Sequence, residues 1–425
     1  MRLRVGTPIW LVRGRARVGR LKAAPTYVGA GFSRPRFPKL TGTHDADVVI
    51  VGGGMTGAGI AHVFAAAGLR VVLVDAGLVG RGSTAASTAL LMQETDEELG
   101  ALAKRYGARR AARIWELSRS AARDLVATIR RLHIPCGLTE RDSVYFTTDP
   151  ATADGLRDEC RRRKRSGFSA RWLTPASLLA TAGIAGAGAI RSTGDAQFDP
   201  HRACIGLLHA AARQGARIFE RSRVRRIDPT RTGVTVRTAR GTIAARHVII
   251  ATGFATPAFK PLAGRFRMKH TYVLATAPLD RRQRARLGVR DVLLWDTARP
   301  YHYARWTADR RLLLGGSDRP VVPPARRRQA FAAATEELRE HFEELLPALK
   351  DVDMEFAWEG LFATTPDGLP YIGPHRRYPR HLFALGYGGN GMTFGFLAAR
   401  LLLDAVRGVP NRDLQLFAFG RARRA

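Results

Sequence analysis

The stretch Asp47-Val-Val-Ile-Val-Gly-Gly-Gly-Met-Thr-Gly57 sets an unbroken β-branched run against a glycine-rich turn. A run without polar alternation predicts a strand buried on both faces rather than one half-exposed. Outward from it, residues 58–68 are small and apolar, as a helix lying close on a sheet must be, and Arg70-Val-Val-Leu-Val-Asp75 predicts a second buried strand. Strand, helix and strand within about thirty residues form a βαβ unit, which implies a parallel sheet covered by helices on both faces.

Gly52, Gly54 and Gly57 stand in G-x-G-x-x-G spacing between that strand and helix, and Asp75 closes the next strand. The first glycine permits the turn and the second lets a pyrophosphate approach the backbone. The third brings helix against sheet, and the Asp75 carboxylate can accept from ribose hydroxyls. The motif alone does not separate NAD from FAD. Two later segments do. His247-Val-Ile-Ile-Ala-Thr-Gly253 is a buried strand whose small end lets the chain pass close to a dinucleotide. Gly386-Tyr-Gly-Gly-Asn-Gly-Met-Thr393 opens an apolar helix ending near Gly408. Backbone amides at such a helix start stabilise the negative charge that a flavin gains at N1 and the C2 carbonyl on reduction.

Residues 99–132 predict a helix, with Ile114, Leu117, Ala121, Leu125, Ile129 and Leu132 at three- and four-residue spacing. Residues 176–190 are rich in Ala and Gly and read as a loop. Asp199-Pro200 opens a helix to about Gln214, with Asp199 as N-cap and Pro200 at the first helical position. Strand-like pieces follow at 216–227, 233–239 and 243–251, then a block of short alternating pieces at 272–276, 292–295, 301–306 and 311–315 whose tempo predicts antiparallel hairpins. The expected fold class is therefore α/β with an α+β substrate part: a Rossmann-like FAD-binding domain with a parallel sheet, interrupted by an antiparallel-sheet substrate domain. The expected boundaries are 41–98, 190–265 and 355–418 for the discontinuous cofactor domain and 99–189 with 266–354 for the substrate or cap domain.

With 45% hydrophobic and 25% charged residues, the 425-residue chain has the material for a core, and disorder and small disulfide scaffolds are excluded. The charge is unusual: Lys+Arg 69 against Asp+Glu 36 gives +33, with 62 of the basic residues Arg. Residues 1–40 hold ten basic side chains and no acidic one, and form a basic extension read as a solvated arm docked through Trp10. Arginines spread along helix faces, not massed beside aromatics, make nucleic acid an improbable partner, and the Arg161–Arg165 run reads as a solvated helix end. Cys136, Cys160 and Cys204 show no metal or disulfide spacing, so a reducing compartment, the cytoplasm, is the default. No apolar run is long enough for an integral membrane segment.

Residues 45–418 resemble the D-amino-acid oxidase-type FAD-dependent oxidoreductases, the family of glycine oxidase, sarcosine oxidase and gamma-glutamylputrescine oxidoreductase. The resemblance rests on the glycine motif at 45–61, Gly-Ser-Thr-Ala-Ala-Ser-Thr-Ala-Leu-Leu at 82–91, the Asp199-Pro200 helix start, the strand ending at Gly253, and the run 367–393. It implies FAD and oxidation of a C–N bond in an amine or amino acid, by hydride transfer to flavin N5 and hydrolysis of the imine. It implies that Gly52, Gly54 and Gly57 face the pyrophosphate and Asp75 the ribose, with Met55 and Thr56 also among the cofactor-binding residues. Ser83 and Thr84 would run beside pyrophosphate and flavin, Val224 would meet adenine, Gly253 would pass the dinucleotide, and Gly388, Gly389, Asn390, Gly391, Met392 and Thr393 would line the flavin. An arginine common in relatives after the serine is replaced by Ala85-Ala86-Ser87, and the strand Leu312–Ser317 lacks the lysine and cysteine of sarcosine oxidase-like members. Noncovalent FAD is expected, with oxygen or another electron acceptor.

For the substrate, Arg299, Tyr301, Tyr303 and Arg305 alternate onto one strand face and would hold a carboxylate, with His270 and Tyr272 on a neighbouring strand. Trp358 and Phe362 read as core residues with a possible share in the cavity wall. Two other readings stand beside the amine oxidase or dehydrogenase: a flavin enzyme acting on aminoalkyl-modified tRNA, and a membrane-peripheral quinone-linked amino-acid dehydrogenase.

Overall fold

The computed structural model describes residue 34 and residues 36–421, so most of the basic arm, Trp10 included, lies outside the described residues. Strand β1 (Gly42–Val51), helix α1 (Met55–Ala66) and strand β2 (Val71–Val74) form the βαβ unit the sequence predicts. β1 pairs in parallel with both β2 and the strand Gly241–Gly253; Tyr378–Leu385 and Arg217–Phe219 extend the parallel set at either side. Tyr371–His375 adds an antiparallel edge, and the hairpin strands Arg226–Pro229 and Val234–Arg237 hang from Gly241–Gly253.

The central strands are buried on both faces, which is why they read as unbroken β-branched runs. One face packs on α1, Pro200–Arg213, Gly391–Arg407 and Ala108–Arg131, in a cluster that includes Phe64, Trp115, Leu125 and Phe394. The long predicted helix is two, Leu99–Tyr106 and Ala108–Arg131, broken at Gly107 with φ +82°. Their predicted apolar stripe is the buried one, and each fully buried Leu or Ile there contributes roughly 1.5–3 kcal/mol. These helices therefore share the core of the first sheet, not that of the substrate part. Arg163 departs from the solvated reading of its run: it is fully buried, donates to Glu159 Oε1 at 2.9 Å and lies over the Trp115 ring.

The second sheet runs in the order Met354–Thr364, Arg267–Thr276, Leu312–Pro320, Tyr303–Trp306, Leu293–Asp296, Thr139–Thr147, Gly188–Gln197 and Leu90–Leu91. It is antiparallel except where Leu293–Asp296 lies parallel to Thr139–Thr147. Met354–Thr364 belongs to this sheet through its full pairing with Arg267–Thr276, so the chain returns to the first sheet only at Tyr371. The stretch read as a loop at 176–190 holds the helix Pro175–Ala182, opened by Thr174, whose Oγ1 accepts from Ser177 N–H, and closed by Gly183 at φ +73°. Among the described residues no helix is long and apolar enough to cross a membrane.

Candidate active site

The glycine turn is dictated by contact. Gly52 has φ +112°, and a Cβ there would stand 2.5 Å from the Ala251 carbonyl oxygen; a Cβ on Gly57 would stand 1.9 Å from the Gly52 carbonyl oxygen. α1 starts at Gly54 with no side-chain cap and no acidic residue in its first turn. Asp75 closes the turn from the neighbouring strand: its Oδ2 accepts from Gly53 N–H and its Oδ1 from Gly77 N–H, each at 2.7 Å. Thr84 Oγ1 accepts from Met55 N–H at 2.9 Å, and Ser83 Oγ donates to the Leu361 carbonyl at 2.6 Å, tying the 82–91 segment to both sheets.

These groups open on one cavity of roughly 690 Å³ that runs from the first sheet to the second. Its first-sheet end is cationic through Arg223, Arg225, Arg226 and Arg377, with Val224 and with His381, whose imidazole burial pushes toward the neutral form, in the same lining. Its second-sheet end is aromatic and acidic, with Trp295, Tyr301, Tyr303, Glu94, Asp96, Asp318 and Thr271 in the lining. Tyr301 lies 6.3 Å from the Trp295 ring and 6.0 Å from the Tyr303 ring, centroid to centroid, and Trp295 stacks on Tyr145 at 3.8 Å.

Local backbone irregularity aims this wall. His270 pairs with Arg319 and Tyr272 with Gly316, which leaves Thr271 alone opposite Ser317 and Asp318. The extra residue is a β-bulge, and Ser317 takes φ +50° to make it. Opposite Tyr303 the strand carries Gly315, where a Cβ would come within 2.1 Å of the tyrosine ring. Thr271 and Tyr303 hydroxyls meet at 3.1 Å. Asp96 Oδ2 accepts from Gly389 N–H at 2.6 Å, and burial still pushes its carboxyl up to about 7. Burial likewise raises Asp318 and pushes both tyrosine hydroxyls well above their ordinary range.

Of the residues singled out in the sequence for the cofactor, Gly52, Gly54, Met55, Thr56, Asp75, Ser83, Thr84, Val224, Gly253 and residues 388–392 line this cavity. Two do not. Gly57 lies behind the turn as a packing contact, and Thr393 is buried with its hydroxyl donating to the Met92 carbonyl at 2.7 Å.

The substrate set divides more sharply. Tyr301 and Tyr303 line the cavity, whereas Arg299, Arg305 and His270 do not. Arg299 is on the exposed loop before the strand, which begins only at Tyr303. Arg305 shares the face of Tyr303 but lies beneath the cavity floor, buried and donating to the carbonyls of Thr88, Phe198 and Trp306. His270 is buried 3.5 Å from Glu359, and Tyr272 packs on Phe331 in the core of the second sheet. Trp358 is core, donating from Nε1 to the Ala86 carbonyl at 2.9 Å, while Phe362 reaches the cavity wall. Asp96 and Asp318 are the functional candidates that sequence reasoning missed. Asp96 stands in Thr95-Asp-Glu-Glu98, which reads as a helix start, and Asp318 depends on the bulge.

The cavity fits FAD. A glycine cradle that any Cβ would fill stands at an uncapped helix start, a carboxylate closes the next strand, and arginines surround the far end. The model of the family described as FAD dependent oxidoreductase matches residues 47–405. The chain is 28% identical over 392 residues to gamma-glutamylputrescine oxidoreductase of Escherichia coli K12, covering 91% of this chain and 89% of that one. It is 28% identical over 378 residues to glycine oxidase of Geobacillus kaustophilus, covering 86% and 93%. The crystal structure of a glycine oxidase from Geobacillus kaustophilus superposes with a TM-score of 0.73 at 26% identity, over 89% of this chain and 99% of that one. L-proline dehydrogenase from P. horikoshii shares the fold, with a TM-score of 0.74 at 18% identity over 91% and 99%. The chain belongs to the DAO family of FAD-dependent oxidoreductases.

Proposed function

We propose that this FAD-dependent enzyme oxidises the C–N bond of an amine or amino acid. The observation that carries the reading is the single cavity joining the glycine turn to the Trp295, Tyr301, Tyr303, Asp96 and Asp318 wall. Noncovalently held FAD would supply the two-electron sink for oxidation of the carbon that bears nitrogen. Water hydrolyses the resulting imine to a carbonyl compound and ammonium, so the amine loses the two electrons that the cofactor gains. Gly52, Gly54, Asp75, Thr84, Val224 and Gly253 hold the dinucleotide, and residues 388–392 its ring. The discontinuous cofactor domain is the part built on the first sheet, and the second sheet carries the substrate.

A substrate ammonium must shed a proton before its carbon can give up hydride, and Asp96 and Asp318 are wall groups able to take it. Tyr301 and Tyr303 stay protonated through the physiological range and act as hydrogen-bond donors that orient the substrate. Relatives named as glycine oxidase and gamma-glutamylputrescine oxidoreductase support the substrate class. The test is anaerobic mixing of the yellow holoprotein with amines and with D- and L-amino acids, then readmission of oxygen or a quinone. Bleaching by at least one of them is expected. A flavin untouched by the whole panel overturns the reading.

A further inference from the structure

The charges along the cavity are segregated. Among the described residues every Arg or His of the lining, namely Arg223, Arg225, Arg226, Arg377 and His381, belongs to the first-sheet end. The second-sheet end carries the acids Glu94, Asp96 and Asp318, of which Glu94 lies 3.7 Å from the buried Arg163, and the rings of Trp295, Tyr301, Tyr303 and Phe362, with no basic side chain in its lining. The cations whose field reaches the two aspartates are Arg299 at Asp96 and Lys269 with His302 at Asp318, and none of the three lines the cavity. Burial raises both aspartates because the negative form lacks a compensating charge inside the wall. A bound cation would supply it.

The wall also has the composition that recognises organic cations. Aromatic faces attract an alkylammonium through the ring quadrupole, and a carboxylate beside them adds a charge-assisted hydrogen bond or a bare Coulomb partner. The Tyr301 ring stands 6.3 Å from that of Trp295 and 6.0 Å from that of Tyr303, and the Trp295 ring is locked by its stack on Tyr145. A substrate carboxylate would meet the opposite: acids at the wall, with Arg305 donating to three backbone carbonyls. A zwitterionic amino acid leaves the wall's negative charge uncompensated, whereas a net-positive amine neutralises it.

Resting on the oxidation of C–N bonds proposed above, we infer that the second-sheet end is an alkylammonium seat, formed by Asp96, Asp318, Trp295, Tyr301 and Tyr303. The preferred substrates are then alkylamines of net positive charge that carry no carboxylate on the reacting carbon.

Two measurements on the holoprotein test this. In the first, n-butyltrimethylammonium, which cannot be oxidised by this route, is titrated against the flavin absorbance spectrum, with pentanoate as the anionic counterpart of similar length. The cation is expected to bind at least about ten-fold tighter than the anion, and Asp96→Asn and Asp318→Asn each to weaken it about ten-fold or more. Asp96→Glu and Asp318→Glu keep the charge and retain most of the affinity, which separates lost charge from lost fold. In the second, anaerobic bleaching by butylamine and 1,4-diaminobutane is compared with glycine, sarcosine and the two alanines, and the alkylamines are expected to be faster. Tighter binding of pentanoate, or cation affinity indifferent to both Asn variants, overturns the seat. Bleaching by amino acids alone also overturns it while leaving C–N oxidation standing. Bleaching by nothing in the panel defeats C–N oxidation, and the titration still decides the seat.

Discussion

Replacing Arg421 by methionine tests how the two sheets are coupled at the site. Asp367 lies in the turn that carries the chain from Met354–Thr364 in the second sheet to Tyr371–His375 in the first. Arg421 grips it with both edges of its fork, Nε donating to Oδ2 at 2.6 Å and Nη2 to Oδ1 at 2.7 Å. Its Nη1 donates to the carbonyls of Pro370 and Phe417, and the guanidinium lies 4.2 Å over the Tyr371 ring. The pair is buried, and hydrogen bonds from Arg421 hold the Asp367 carboxyl at about 2 although burial alone would raise it. Arg421→Met keeps the packing length and removes the counter-charge, leaving only neutral donors from Tyr106, Thr365 and Leu369 on the buried carboxylate, so a loss of about 3 kcal/mol is expected at neutral pH.

The pH dependence fixes the cause. In the native protein Asp367 has a folded value of about 2 against an ordinary 3.8, so its contribution is present above 3.8 and is lost as pH falls toward 2. That contribution is about 2 kcal/mol. In Arg421→Met the same carboxyl is raised, so acid protonates it in the folded state and relieves the defect as pH falls. The gap between the two proteins is therefore widest at pH 7 and narrower at pH 5. Urea midpoints of the holoproteins at both pH values, followed by tryptophan fluorescence, measure it. Adding Asp367→Asn to the variant should return more than half of the loss at pH 7. An equal loss at both pH values, unrepaired by Asp367→Asn, would refute the argument and leave Arg421 as packing on Tyr371.

Three further outcomes follow from contacts already described. Gly57→Val forces a side chain into the space of the Gly52 carbonyl 1.9 Å from the Cβ position, so the protein should purify colourless or lose FAD on gel filtration. Gly315→Val collides with the Tyr303 ring opposite, so the Kd of amine ligands should rise several-fold while the flavin spectrum stays that of bound FAD. Arg305→Met removes three buried bonds to carbonyls and should cost about 2–4 kcal/mol in urea unfolding, with the relative binding of cations and anions unchanged; a gain in cation affinity would show that Arg305 acts at the site.

The cofactor half of the site was legible because its signals are local. Gly52, Gly57 and Asp75 act within one βαβ unit, and Asp199-Pro200 announces a helix by chemistry that needs no tertiary contact. The substrate half was not legible, because each signal there depends on depth. Alternation placed Tyr303 and Arg305 on one face, yet Tyr303 lines the cavity while Arg305 is buried and turned to the carbonyls of Thr88 and Phe198. Arg299 failed for a different reason: Asp296 accepts from the N–H groups of Ala298 and His302, which bends 297–302 into a turn before the strand begins. The helix at 175–182 was missed under its alanines, although Thr174-Pro175 and Gly183 are a start and a stop of the ordinary kind.

The net charge of +33 acquires a different meaning from this geometry. Positive charge governs the first-sheet end of the cavity, through Arg223, Arg225, Arg226 and Arg377, and is excluded from the wall at the other end. A field set by the total charge would draw anions to both ends alike; a field set by side chains a few ångströms away separates them, since the low-dielectric walls of a cleft weight the nearest charges most. One cavity can thus hold the phosphates of a dinucleotide at one end and an ammonium at the other. The arginine-rich composition then carries no information about the substrate, and the two aspartates at 96 and 318 carry most of it.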